Sequence, residues 1–406
     1  MNTFKTLGGL TLATTLFWTA CTKTTTDPNA ELKENVISNY CDIVAASYTD
    51  AHNEAVALQT AINTLVATPN QVNFDAARTA WKESREPYGQ TETYRFYDGP
   101  IDDANGPEGA LNAWPLDENY VDYTRDAAGT GVVQSGIIND SAAYPTINAT
   151  VLTNANELGG EKNISIGYHA IEFLLWGQDY LDVNTNAGQG GDRSYTDYTS
   201  ASSNHVRRGE YIKACAELLV ADLAVLKSEW TTGGSYRTYF EGLSTDEALS
   251  KILTGAAVLS KSELAGERMF VALEANPTDN PQEDEHSCFS DNTDRDIITN
   301  AQGISNVLKG QYVSSDGVTT GNASYSIFTL IATVDATLAS ELTTINATTT
   351  TNINAIPTPF DRAVTNENVN DNGPILLAIN ALQDQGDKIA EVATALGLSI
   401  STDLPD

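Results

Sequence analysis

Apolar residues recur in steps of three and four along most of the chain, and nowhere in a sustained alternation. From Leu32 they fall at Val36, Tyr40, Ile43, Val44, Tyr48, Ala51, Ala55, Leu58, Ile62 and Leu65, which is one face of a long helix. Thr68-Pro69-Asn70 stops it. A second helix is expected from near Asn73 to Pro87, with Phe74, Ala77 and Trp81 turned inward. A third follows His205 through Tyr211, Cys215, Leu219, Leu223, Leu226 and Trp230. Ser244-Thr245-Asp246-Glu247 has the spacing of a capping box, and the helix it opens extends toward Leu273. Ile327 to Ile345 marks another. Pro374 stands at a first-turn position, where its missing amide costs nothing, and leads a last helix through Ile389 and Val392.

The pattern predicts an all-α fold of two helical-bundle domains, residues 32–232 and 233–406, with the linker near Thr231 to Gly234. Two segments between helices, Asp98 to Lys162 and Leu181 to Asn204, are rich in Gly, Asn, Asp and Pro. Compact bundles rarely need connections of that length, which marks both segments as candidates for function.

Charge narrows the partners. The 406 residues carry 54 acidic and 22 basic side chains, a formal net charge of −32. Such a surface repels nucleic acid and anionic lipid and gathers cations or basic partners, so no nucleic-acid role is expected. The apolar run Leu7 to Ala20 is shorter than the ~20 residues a bilayer core requires. Lys5 before it and Ala20-Cys21 after it give the layout of an export signal. It looks like a lipoprotein signal: residues 1–20 removed, Cys21 lipidated, and a polar tether over 21–31. Membrane attachment would then be through the lipid anchor only. The other cysteines, Cys41, Cys215 and Cys288, show no CxxC spacing. Export permits one disulfide among them without saying which, while Cys41 and Cys215 read more simply as buried thiols.

The sharpest local feature is Gly167-Tyr168-His169-Ala170-Ile171-Glu172, followed by Phe173-Leu174-Leu175-Trp176-Gly177. Helix positions three apart share a face, so His169 and Glu172 can point together. In apolar surroundings each needs a partner. Either they satisfy each other, or they grip one cation. Charged residues also sit among aromatics at Trp81 to Tyr88 and Tyr94 to Asp102, and Gln282 to Asp291 packs four acids and a histidine into ten residues. That run is either a solvated face or a hard-cation site, since carboxylates suit Fe(III), Ca or Mn and imidazole extends the choice to Fe(II), Zn and Cu.

Together these residues resemble the imelysin family, also known as the iron-regulated protein A or insulin-cleaving membrane protease family. The resemblance rests on the GxHxxE motif at Gly167, His169 and Glu172, on Arg85-x-Pro87-Tyr88, on Arg95 through Asp102, on Glu263 through Met269, and on the Gln282–Thr293 segment. It implies two bundles related by internal duplication, an envelope location, a link to iron acquisition, and a GxHxxE helix close to the domain interface. Periplasmic iron-uptake proteins with an imelysin-like domain extend the carry-over. Their pattern implies a metal site of His169, Glu172, Glu86 and Asp102, with Asp98 competing for the last place. Arg85 and Arg95 would hold and tune the carboxylates, and Glu283, Asp284 and His286 would close the site from the other domain.

Three functions follow as expectations. The first is an envelope lipoprotein that binds iron, or an iron-bearing ligand, and works with envelope iron-transport proteins; zinc or calcium would suit the same donors. The second is a metal-dependent peptidase, as some members of the family are classed. A zinc hydrolase wants about three protein ligands, an open position and a general base. Here Phe173 stands where an HxxEH motif would place its second histidine, and the chain has only four histidines. The third is a non-catalytic scaffold or adhesion module, in which the motifs merely join the bundles.

Overall fold

The computed structural model describes residues 27–126, 131–180, 189–275 and 284–405. The expected signal peptide, Cys21, most of the tether and Glu283 lie outside the described residues. The main helices are α1 (Ala30–Ala67), α2 (Gln71–Thr91), α3 (Gly167–Trp176), α4 (His205–Trp230), α5 (Thr245–Val258), α6 (Thr293–Lys309), α7 (Ala336–Ile353) and α8 (Pro374–Ala395). The fold is all-α, as the apolar periodicity predicts.

The face of α1 read from the sequence is the buried one. Ile43, Val44, Tyr48, Ala51, Ala55, Leu58, Ile62 and Leu65 are fully enclosed, against α2 and α4. Each of the large side chains contributes about 1.5–3 kcal/mol by leaving water. Helix α8 packs on α7, on α5 and on the segment after α5. The buried apolar side chains form one contiguous cluster that runs from Val36 to Leu398, across both sides of residue 232. Cys41, Cys215 and Cys288 are buried within it as thiols.

Four details differ from the sequence reading. Helix α2 does not end at Pro87 but continues to Thr91; the proline removes one amide, yet the flanking turns are packed in the core. The chain from Leu259 to Phe270 winds as a π-helix directly after α5, and the wider turn is invisible to a search for three-and-four spacing. The run Ile327 to Ile345 is two helices, Ile327–Ala332 and α7, because Asp335 caps a fresh start by accepting the amides of Thr337 and Leu338. Two short antiparallel ladders also occur, β1 (Thr124–Arg125) with β2 (Val132–Val133) and β3 (Gln311–Val313) with β4 (Thr319–Gly321). Strands of two or three residues are too short to print an alternation.

The capping serine behaves as predicted. Ser244 Oγ accepts the Glu247 amide at 3.2 Å, and Pro374 is the first residue of α8. The segment from Asp98 to Lys162 is not structureless; it carries short helical turns at Glu108–Leu111, Glu118–Val121, Gly136–Asn139 and Ala149–Ala155.

Candidate functional site

Helix α3 carries the GxHxxE motif, and all ten of its residues are buried. Its first residue has to be glycine. Gly167 has φ of +88°, and a Cβ there would lie 2.7 Å from the carbonyl oxygens of both Ala110 and Leu111. That close approach brings the Glu108–Leu111 turn, with Asn112 and Trp114 beyond it, onto the start of α3.

One turn into the helix, His169 Nδ1 and Glu172 Oε2 are 2.8 Å apart. The other carboxyl oxygen of Glu172 accepts from the Ser290 amide at 2.9 Å and from the Ser290 hydroxyl at 2.7 Å. Burial pushes the Glu172 carboxyl up to about 8. Burial, and then the nearby Arg85 guanidinium, press the His169 imidazole well below its ordinary value. Both shifts favour the neutral forms, in which Glu172 donates its proton to Nδ1 of His169. The imidazole proton then sits on Nε2, which is buried and has no hydrogen-bond partner among the described residues. Around the His169 ring stand those of Trp114, centre to centre 5.0 Å, and of His286, centre to centre 4.7 Å at 75°.

His286 belongs to the turn that precedes α6. Its contacts are long: 3.4 Å from Nδ1 to Asp296, 3.5 Å from Nδ1 to Arg85, and 3.5 Å from Nε2 to the Asn112 amide. Burial first, and then the charge of Arg268, drive its pKa down to about 3, so this imidazole is neutral too. Behind it Arg85 donates to Asp296 at 3.0 and 3.1 Å and to Asn112 at 2.5 Å. The guanidinium also lies over the rings of Tyr168, Tyr88 and Trp81 at 5.0, 5.4 and 5.7 Å, a stacking that suits a planar buried cation. Burial opposes ionisation of Asp296, but Arg85 overcomes it and holds the carboxylate well below the usual range. Ser287 Oγ donates to the same carboxylate.

Asn112 links this group to a second one. Its amide donates to Glu92 at 3.3 Å. Glu92 also accepts from Arg95 and from Arg268, each at 2.7 Å, and the two guanidinium groups outweigh burial to keep it ionised. Arg95 reaches Glu108 at 3.2 Å. Arg268 donates to Glu263 at 2.8 Å and to Asn300 at 2.8 Å. Glu263 and Arg268 are five residues apart and meet on one side because the π-helix bonds i to i+5.

Against this network opens a cleft of about 870 Å³, lined among others by Arg95, Asn112, Trp114, Arg268, Asp284 and His286. His169 and Glu172 lie behind that lining. Of the residues anticipated from sequence, Arg85, Arg95, Asp284 and His286 are in the network or the cleft wall. Glu86 and Asp102 are held elsewhere. Glu86 makes a two-armed pair with Arg295 at 2.6 and 2.8 Å on the half-exposed outer side of α2. Asp102 accepts the Phe96 amide and, at 2.8 Å, the Gly99 amide, closing its own turn. Asp98 is exposed with φ of +58°. Sequence reasoning missed Glu92, Asn112, Trp114 and Asp296. Glu92 had a faint signal, an acid three residues before Arg95 amid Tyr and Thr; Asn112 had none.

A resident iron would need donors converging on one point. Among the described residues no three His, Cys, Asp or Glu side chains are grouped to hold a metal ion. Glu172 spends both oxygens on His169 and Ser290. The donor set as folded does not fit a closed metal centre.

An all-helical protein with a buried polar network facing one broad cleft is the class these observations define. The profile of the Imelysin family (Peptidase M75) matches residues 44–389, and the chain belongs to that family. Iron-regulated protein A of Synechococcus elongatus is 30% identical over 314 residues, 76% of this chain and 71% of that one. The crystal structure of a protein assigned as an iron-regulated protein A precursor from Parabacteroides distasonis superposes with a TM-score of 0.69 at 19% identity, covering 92% of this chain and 97% of the other. An imelysin-like protein from Psychrobacter arcticum gives 0.63 at 14%, covering 92% and 98%. At these identities the two structures share the fold.

Proposed function

We propose that this imelysin-family chain is an envelope protein of iron uptake that takes iron, as cargo within a small polar ligand, in the cleft walled by His286 and Trp114. The observation that carries the reading is the place of His286. It is a largely buried imidazole on the cleft wall, burial favours its neutral form, and its hydrogen-bond contacts are all long, 3.4–3.5 Å. A donor that is already deprotonated and weakly engaged can turn to an incoming metal without first losing a proton. The His169–Glu172 pair supports that ring from behind and is neutral, so it adds no net charge to repel or attract the occupant. The name of the Synechococcus relative supports the connection with iron. Lipid attachment at Cys21 would hold the protein at a membrane surface; no helix among the described residues is long and apolar enough to cross one.

The peptidase reading is less well supported. A hydrolytic metal held by the motif would have to free His169 from Glu172, and Glu172 from Ser290, inside a helix with no exposed residue. Isothermal titration of the full chain with ferric ion and with ferric chelates tests the binding reading. Uptake should be near one equivalent and fall at least tenfold in His286→Ala and Trp114→Ala, with helical circular dichroism unchanged. Absence of uptake in every iron form would sink it, as would tight uptake that neither substitution weakens.

A further inference from the structure

The cleft that the proposed function relies on is lopsided in charge, and the imbalance specifies its occupant more narrowly than size does. Eight carboxylate side chains line it, against two arginines, one lysine and His286. The arginines do not offset the excess. Arg95 is engaged by Glu92 and Glu108, and Arg268 by Glu92 and Glu263. Lys162 is the one cation on the lining without a carboxylate within ion-pair distance among the described residues. The same lining holds Glu118, Glu157, Glu161, Glu267 and Asp284, none of which has an ion-pair partner among the described residues, although the Lys162 charge acts on Asp284.

Trp114 adds a second element, since its half-buried indole lines the same cleft and an aromatic ring attracts cations. His286, neutral, adds no positive charge to the wall.

We infer that the cleft selects a positively charged occupant: a metal cation carried with neutral or amine ligands, or an organic polycation, in preference to an anionic chelate. The inference rests on the reading of the cleft as the ligand site and adds the charge class of the ligand. An iron chelate whose own carboxylates face outward would meet five carboxylates offset by a single lysine and be refused. Iron would then enter as a cationic species, or be stripped of an anionic carrier before entry.

Titration of the full chain with three probes tests this: hexaamminecobalt(III), spermidine and ferric citrate. The comparison variant is the triple Glu157→Gln/Glu161→Gln/Glu267→Gln. The control is Glu31→Gln/Glu210→Gln/Glu217→Gln, which removes the same charge from exposed positions off the cleft lining. The cationic probes should bind the wild type and the control alike and lose at least tenfold in affinity in the cleft triple. Ferric citrate should fail to bind the wild type. Equal loss in both triples, or none in either, would mean diffuse attraction to an acidic surface and would overturn the inference. Ferric citrate binding that His286→Ala weakens but the cleft triple does not would overturn charge selection while leaving the cleft as the ligand site. If no probe responds to His286→Ala or Trp114→Ala, the inference and the reading beneath it fall together.

Discussion

Glu172 and Asp296 are both buried carboxyl groups near His286, yet the fold keeps one neutral and the other ionised. Glu172 has a neutral imidazole, an amide and a hydroxyl as partners, and burial decides its state. Asp296 has the Arg85 guanidinium at 3.0 Å, and that charge overrides burial. The difference shows that enclosure alone does not fix the charge of a side chain here; the presence of a guanidinium does. Glu92, between Arg95 and Arg268, repeats the second solution in the neighbouring group.

Removing the guanidinium should give the largest effect. Arg85→Met leaves Asp296 a buried charge with no counter-ion, which costs about 3–5 kcal/mol in urea unfolding. Adding Asp296→Asn to it should restore most of that loss. If the double variant is no more stable than Arg85→Met, the pair is not what holds Asp296 in its ionised state.

Next comes the pH dependence, where Glu172 and His286 have opposite signs. Glu172 has a folded pKa of about 8, against an unfolded value near 4.3. The folded state therefore holds the extra proton between these values, and Glu172 makes the protein less stable as pH rises from about 4.5 to 8. Glu172→Gln should flatten that decline. His286 works on the acid side. Its folded pKa of about 3 lies below the unfolded 6.5, so its contribution is present above pH 6.5 and lost as pH falls toward 3. Stability curves from pH 4 to 9 check both limbs, and parallel curves for wild type and Glu172→Gln would contradict the neutral pair.

At pH 5, where Glu172 is protonated in the fold, Glu172→Gln should change stability by about 1 kcal/mol or less, because an amide keeps the bonding pattern. A cost equal to that of Arg85→Met would place an ionised carboxylate there instead. Smallest of all should be Glu86→Ala. Its pair with Arg295 is well formed but half-exposed, and such pairs contribute about 0–1 kcal/mol. A larger loss, or a loss of iron binding, would return Glu86 to the site.

The helices were legible because burial imposes its period on the sequence: every apolar position read on α1 from Val36 to Leu65 is buried. His169 and Glu172 were legible because a polar pair in an apolar helix is conspicuous, although the pairing with each other was only one of two readings. The resemblance to imelysins, drawn from GxHxxE and its companion segments, is confirmed over residues 44–389. Asn112 and Asp296 were hidden because their importance lies in contacts across 27 and 211 residues of chain, which no local pattern records. Glu86 and Asp102 came from the resemblance, by their places before Pro87 and after Ile101, and in the fold they are held by local partners, Arg295 and two backbone amides.

The wide winding between Leu259 and Phe270 has a consequence for how this protein can vary. An ordinary helix advances about 100° per residue, so five residues would carry Arg268 about 140° round from Glu263. A mutation that lets the stretch tighten to that winding, its length unchanged, would swing Arg268, itself on the cleft wall, off Glu92. A substitution in this short window that favours ordinary winding therefore acts on the cleft wall from within the helix, and a relative that keeps the length but winds it as an α-helix should lack the Glu92–Arg268 contact.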